Sequence, residues 1–223
     1  MIDQELIEAC QQIVNRYGVI DRIESHNEHW LQIQAKLRSQ FNISGLKEDA
    51  IFRIKRKSEM KHIFLEAGLP AAKGMLVSDL QTALKTANEI GYPIMAKPDI
   101  GVGASGCKKI SNDDQLTTFF QTNNCHNYLL EEFIEGELCS FDGLADRAGN
   151  IIFFTSHVNN AGVAEVVEHQ LDAFFYSLRT IPQDLEEIGR KTAKAFSVKE
   201  SFFHFEYFRR KSDQVLIPIE VNI

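Results

Sequence analysis

The sequence predicts an α+β chain, and the expectation rests on where strands follow one another without a helix between them. At the end of the chain, Phe202-Phe203-His204-Phe205-Glu206-Tyr207-Phe208 and Val215-Leu216-Ile217-Pro218-Ile219-Glu220-Val221-Asn222 flank the polar segment Lys211-Ser212-Asp213-Gln214, which reads as an antiparallel hairpin. The glycine-rich segment Gly101-Val102-Gly103-Ala104-Ser105-Gly106 also joins two strands. At the other end, one helix, one strand and another helix are too few to close a doubly wound sheet.

Taken in order, residues 3–17 are amphipathic, with Leu6, Ile7, Cys10, Ile13 and Val14 on one stripe, and stop at Gly18. Residues 19–23 read as a short strand and 27–41 as a second helix ending before Gly45. A helical stretch over 47–67 carries Arg53, Lys55, Arg56 and Lys57 and closes at Gly68-Leu69-Pro70. Another helix over 79–90, capped by Ser78 or Asp79, leads to a strand over 92–98, the glycine-rich loop and a strand over 107–110. A helix over 113–120 follows Ser111 or Asn112 as cap. Strands are expected over 128–134, breaking at Glu135-Gly136, then over 138–145 and 151–158, with 159–172 irregular. A helix over 182–196, with Pro182 near its first turn, precedes the hairpin.

Composition bounds function. The chain has 223 residues, 44% hydrophobic and 25% charged, as an ordinary globular protein does, and its net charge of −7 argues against non-specific nucleic-acid binding. No apolar run reaches the roughly 20 residues that span a bilayer, and the N-terminus lacks a signal peptide's basic and apolar regions. A cytoplasmic location with no membrane partner is therefore expected. The four cysteines, at 10, 107, 125 and 139, lack CxxC spacing and read as buried free thiols.

The hairpin carries the chemistry. A turn centred on Asp213 sets Glu206 opposite Glu220, and Asn222, two residues on, shares their face. Two carboxylates about 4 Å apart at an effective dielectric near 20 repel by about 4 kcal/mol, which a hard cation offsets. Mg2+ takes one or two carboxylates plus phosphate oxygens, so Glu206, Glu220 and Asn222 are candidate metal ligands; an edge hairpin with solvated glutamates is the alternative. The glycine-rich loop is neither a Rossmann nor a Walker loop, which lie between strand and helix, yet small residues let backbone N–H groups approach phosphates. A surface hairpin has the same appearance.

Four segments then fall into one order. They are Arg56-Lys57-Ser58-Glu59-Met60-Lys61 before Ala67-Gly68-Leu69-Pro70; Gly91-Tyr92-Pro93 to Lys97-Pro98 with the glycine-rich loop; Leu130-Glu131-Glu132-Phe133-Ile134-Glu135-Gly136; and His204-Phe205-Glu206 with Ile219-Glu220-Val221-Asn222. Over roughly residues 55 to 222 this resembles the ATP-grasp superfamily of carboxylate-amine ligases, which includes biotin carboxylase, carbamoyl phosphate synthetase and D-alanine ligase. The resemblance implies two α+β subdomains sandwiching ATP: 1–54 as the remnant of a preceding α/β domain, 55–130 as the first subdomain and 131–223 as the second, C-terminally incomplete. It implies that Lys57 and Lys97 contact phosphates and that Gly103, Ala104, Ser105 and Gly106 cover them. Adenine would lie along Glu131, Glu132, Phe133 and Ile134, read by backbone groups of Glu132 and Ile134 with the Glu131 side chain nearby.

The implied cofactors are ATP with Mg2+ or Mn2+, and the implied partners are small-molecule carboxylate and amine substrates and a second copy in a homodimer. The implied reaction phosphorylates the carboxylate to an acyl phosphate for attack by an amine or similar nucleophile. The alternatives are a bicarbonate-activating carboxylase-like enzyme and a non-catalytic nucleotide-binding or interaction domain. His157, His169, Arg179, Arg209 and Arg210 are candidate donors to an acidic group. The chain departs from the family pattern at Arg56, where an Asp is frequent, and at Leu138, where many members place a ribose-binding Glu and Glu137 is the neighbouring acid. It also stops at Ile223, before the arginine and glycine-rich segment usual in the family, so it is expected to be a piece of a longer enzyme.

Overall fold

A computed structural model describes residues 2–25, 28–101, 105–123, 127–160 and 172–223, and the chain divides into two compact units, 1–54 and 55–223. The first unit contains α1 (Ile2–Tyr17), a 3-10 turn (Glu28–Trp30), α2 (Leu31–Gln40) and α3 (Glu48–Lys55), which ends at its boundary. Cys10 of α1 packs with Ile33 and Leu37 of α2. The strand expected over 19–23 does not form. With no neighbouring strand among the described residues, this segment is held by side chains of α2: Arg38 donates to the Ile23 carbonyl at 2.9 Å, and Ser25 N–H donates to Gln34 Oε1 at 2.7 Å.

The second unit opens with α4 (Lys57–Glu66), separate from α3 because Arg56 is extended (φ −98°, ψ 117°). The single helix expected over 47–67 is thus two. The cause is Asp99, a buried carboxylate that caps α4 from a distant loop. Its Oδ1 accepts from Ser58 N–H, its Oδ2 from Arg56 and its carbonyl from Lys57 N–H, each at 2.9 Å. A negative charge at a helix N-terminus is favourable.

The elements that follow are β1 (Gly74–Val77), α5 (Leu80–Ile90), β2 (Ile94–Pro98), β3 (Lys108–Ile110), α6 (Asp113–Thr122) and β4 (Tyr128–Glu132). Asp79 and Asn112 cap α5 and α6 through Thr82 N–H and Gln115 N–H. The strands pair antiparallel in the order β1-β4-β2-β3. Alternation divides the sheet: Ile94, Ala96, Ile110 and Leu130 join Ala83, Ala87 and Leu116 in a core beneath α5 and α6, while Met95, Lys97, Leu129 and Glu131 take the other face. β1 was missing from the expected elements, since its four residues are too few to show a period.

The chain leaves this sheet between Glu132 and Gly136. Gly136 is required there, because a Cβ on it would lie 2.3 Å from the Arg209 carbonyl oxygen. Then come β5 (Gly136–Ala145), β6 (Ile151–Thr155), β7 (His157–Asn159), β8 (Phe175–Ser177), α7 (Gln183–Ala195), β9 (Ser201–Arg210) and β10 (Leu216–Asn222). The second sheet runs β10-β9-β5-β7-β8, with β6 also on β5. Buried Phe141, Phe205 and Tyr207 lie beneath α7, where Phe141 occupies the space above Gly189 and the Tyr207 hydroxyl donates to Thr192 Oγ1 at 2.9 Å. Leu138, Ser140, Asp142, His204, Glu206 and Phe208 point from the opposite face.

Candidate functional site

The hairpin delivers the opposed acids. Glu206 pairs with Glu220, and Asn222 with His204. The register owes this to a bulge: from Leu216 to Pro218 the pairing is offset by one residue, and the extra residue, Ile219, restores it before Glu220. Without that bulge Glu220 would oppose Phe205 and turn toward α7. Pro218, which has no N–H to give, suits a bulge.

Part of the charge on this face is balanced by a residue the metal expectation did not use. His204 Nε2 lies 3.2 Å from Glu206 Oε1, and His204 Nδ1 is hydrogen-bonded to Asp142. Burial works against the charged ring, but hydrogen bonds to Asp142 and Glu206 outweigh it and push the His204 pKa up to about 10. Burial likewise raises Asp142, yet hydrogen bonds from His204, Ser140 and His157 bring it below the ordinary carboxylate value. Two carboxylates and an amide on one face remain a fitting donor set for a hard cation. No group of three or more His, Cys, Asp and Glu among the described residues could hold a metal, so a cation here would need ligand oxygens as well.

The first sheet supplies positive charge. Lys97 and Lys61 grip the two oxygens of buried Glu131 at 2.8 and 2.7 Å, and Lys57, itself buried, reaches the Gly101 carbonyl at 3.5 Å. Burial opposes the charge on Glu131, but Lys97 and Lys61 hold it below its ordinary pKa. Lys97 is therefore held in an ion pair, and the Glu131 side chain, expected near a nucleobase, is committed to lysines. Pro218 and Ile219 of β10 share one small cavity with Lys57, Lys61, Lys97 and Glu131, which brings the hairpin beside the lysines.

Between the two sheets opens a cleft of about 990 Å³, walled by Met95, Cys107, Phe133, Ile134, Leu138 and Phe208 among others. Glu132 spends its N–H on the Lys73 carbonyl at 2.8 Å and its side chain on Lys73 N–H at 2.7 Å. Lys109 Nζ lies 3.9 Å from the centre of the Phe133 ring, a cation–π contact at the cleft wall. Leu138 is buried and Glu137 exposed. Cys10 and Cys139 are buried free thiols as expected, whereas Cys107 is half-buried and faces the cleft.

Ser105 and Gly106 lie at the end of the glycine-rich loop, Gly106 at φ +75° with Pro98 where a Cβ would point. Gly103, Ala104, His169 and Cys125 fall outside the described residues. Of the candidate donors, Arg209 pairs with Asp184 and Arg210 with Asp213, both at 2.6 Å, and Arg179 is exposed. His157 stands on the polar face, 2.8 Å from Asp142 Oδ2. Sequence reasoning missed Asp142, Ser140 and Lys61. The period-two polar positions within β5 could have revealed the first two, since a strand buried on both faces has no cause to carry them.

A family model described as "Carbamoyl-phosphate synthase L chain, ATP binding domain" matches residues 56–170. Among curated proteins, the carbamoyl phosphate synthase large chain of Agathobacter rectalis is 27% identical over 160 residues, covering 69% of this chain and 14% of that protein. The C-terminal section of the carbamoyl phosphate synthase large chain of Methanopyrus kandleri is 25% identical over 128 residues, covering 54% of this chain and 24% of that protein. The chain thus spans a quarter or less of these relatives. Among solved structures, an L-amino acid ligase from Bacillus licheniformis superposes with a TM-score of 0.77 at 17% identity, over 99% of this chain and 52% of that one. The biotin carboxylase domain dimer of a Hydrogenobacter thermophilus 2-oxoglutarate carboxylase, in complex with MgADP, ADP and bicarbonate, gives 0.72 at 21%, over 99% and 50%. The fold is that of the ATP-grasp proteins.

Proposed function

The chain belongs to the family of the carbamoyl-phosphate synthase L chain ATP-binding domain, and from that premise we propose that it binds ATP with Mg2+ and phosphorylates a substrate carboxylate for attack by an amine or similar nucleophile. One observation carries the reading: the acid pair Glu206 and Glu220, with Asn222 on the same face, belongs to the hairpin whose Pro218 and Ile219 share a small cavity with Lys57, Lys61 and Lys97, while a cleft of about 990 Å³ opens between the same two sheets. Such a site holds a polyphosphate from two sides, with fixed cations on one and oxygen ligands for a cation on the other.

In this reading Lys57 and Lys97 bind phosphate oxygens and stabilise the charge that develops on transfer. Gly103 to Gly106 cover the phosphates, and Glu132 to Ile134 lie along the adenine. Glu206, Glu220 and Asn222 hold the cation, Mg2+ or Mn2+, which when bound neutralises phosphate charge. No protein nucleophile is required, because phosphoryl transfer depends on positioning and electrostatics. Bicarbonate as the carboxylate is a second reading, favoured by the structural neighbour that holds it.

Glu220→Ala tests the metal end. Calorimetric titration of ATP, with and without Mg2+, is expected to show Mg2+-dependent affinity in the wild type and none in the variant, with the fold retained. Equal affinities in all four titrations would overturn the assignment. ATP binding without ADP release, across carboxylates including bicarbonate, would favour a nucleotide-binding domain without turnover.

A further inference from the structure

The polar face of the second sheet carries two cross-strand rows of side chains. Ser140, Glu206 and Glu220 oppose one another on β5, β9 and β10; Thr155, Asp142, His204 and Asn222 do so on β6, β5, β9 and β10. β7 sets Asn159 opposite Leu138, so His157, two residues back, shares the face of Leu138 and Ser140. Asp142 ties the rows together. Its Oδ2 lies 2.8 Å from His157 Nδ1 and accepts from the Ser140 hydroxyl, while its Oδ1 is bonded to His204 Nδ1.

The two histidines differ in what is left over. His204 has both ring nitrogens between carboxylates, on Asp142 and Glu206. His157 has only Nδ1 engaged: Nε2 makes no hydrogen bond to any described residue, and the ring stands edge-on to Phe175 at 5.2 Å and 83°. A neutral imidazole carries one N–H, and a carboxylate at Nδ1 draws it there.

We propose that Asp142 is a positioning residue that fixes the neutral His157 ring as the Nδ1–H tautomer, so that Nε2 is left on the polar face of the sheet as a hydrogen-bond acceptor for a hydroxyl or amine N–H of the ligand. The ligand's identity rests on the ligase reading; the tautomer does not. The role assigned to His157 is thereby the reverse of an anion donor. The partial burial of Asp142 also acquires a reason, since a carboxylate taken from water needs hydrogen bonds in return, and the three it has fix two rings and a hydroxyl on the polar face.

The test is ¹⁵N NMR of the histidine rings in the full chain over a pH series, read on the neutral form of the ring, with the His157 signals identified by their loss in His157→Gln. Wild type is expected to show Nδ1 protonated and Nε2 bare. In Asp142→Asn, whose carboxamide can turn an N–H toward Nδ1, the major form should invert to Nε2–H, and Asp142→Glu should restore it. A wild-type spectrum with Nε2 protonated overturns the proposal without any variant, as does a folded Asp142→Asn protein with an unchanged tautomer. Mg-ATP calorimetry on the same sample tests the ligase reading separately: absence of binding with the Nδ1–H tautomer intact counts against that reading and leaves the role of Asp142 standing.

Discussion

The two faces of the second sheet are built from alternate residues of the same strands, yet one is governed by packing and the other by charge. Beneath α7 lie Phe141, Phe203, Phe205 and Tyr207, with Phe203 and Phe205 stacked at 4.7 Å. One residue along each strand, the polar face carries Ser140, Asp142, His204 and Glu206, joined by hydrogen bonds. The apolar face supplies the free energy that keeps the strands in register, and the register decides which polar groups meet. Stability and function are separable here by parity of residue number, so substitutions on the two faces should have different signatures.

The largest effect is expected on the packed face. Phe205 is fully buried, and Phe205→Ala should cost about 3–5 kcal/mol, a large share of the roughly 5–15 kcal/mol typical of a domain. Urea denaturation measures the loss, and nucleotide affinity of the protein that remains folded should be unchanged. An unaltered midpoint would mean that this face does not hold the sheet together.

A smaller effect is expected at the lysine cluster, where the first sheet mixes the two roles. Lys97→Met leaves buried Glu131 with Lys61 alone, so stability should fall by about 1–3 kcal/mol even without ligand, and the stabilisation gained from Mg-ATP should shrink. The pH dependence follows from the sign of the shift. Glu131 has its folded pKa below the unfolded value, roughly 4.3, so its contribution is present above that pH and is lost as pH falls through the folded pKa. Removing Lys97 weakens the depression, and the stability lost on acidification should be smaller in the variant. An identical acid limb would show that the pair does not contribute to stability.

The same division explains what the sequence disclosed. The apolar alternation of the final hairpin was legible, and with it the facing of Glu206 and Glu220, although the agreement depends on the bulge at Ile219, which a constant register does not contain. The break at Arg56 was not legible, because its cause, Asp99, lies 43 residues away. The strand expected over 19–23 had the right residue types but no partner, and strand formation is decided by the neighbour. Asp142 was missed for a related reason: the period-two polar positions of β5 mark it as unusual but not as functional, and its meaning comes from His157 and His204, brought to it by cross-strand pairing.

The smallest effect concerns a polar contact on the packed face. The Tyr207 hydroxyl donates to Thr192 Oγ1 at 2.9 Å, and Thr192 in turn donates to the Ile188 carbonyl at 2.9 Å, so both hydroxyls are satisfied inside the core. Tyr207→Phe keeps the ring and its packing and removes one hydrogen bond. Thr192 retains its own acceptor at Ile188, which avoids an unmatched donor and should limit the cost to about 1 kcal/mol. Burial raises the Tyr207 hydroxyl pKa far above its ordinary value, so the lost group is neutral and no pH dependence should accompany the change. Chemical denaturation and Mg-ATP titration together decide the point. A small loss of stability with unchanged affinity keeps the two faces independent, whereas a fall in affinity would mean that α7 transmits its packing through β9 to Glu206 on the cleft side.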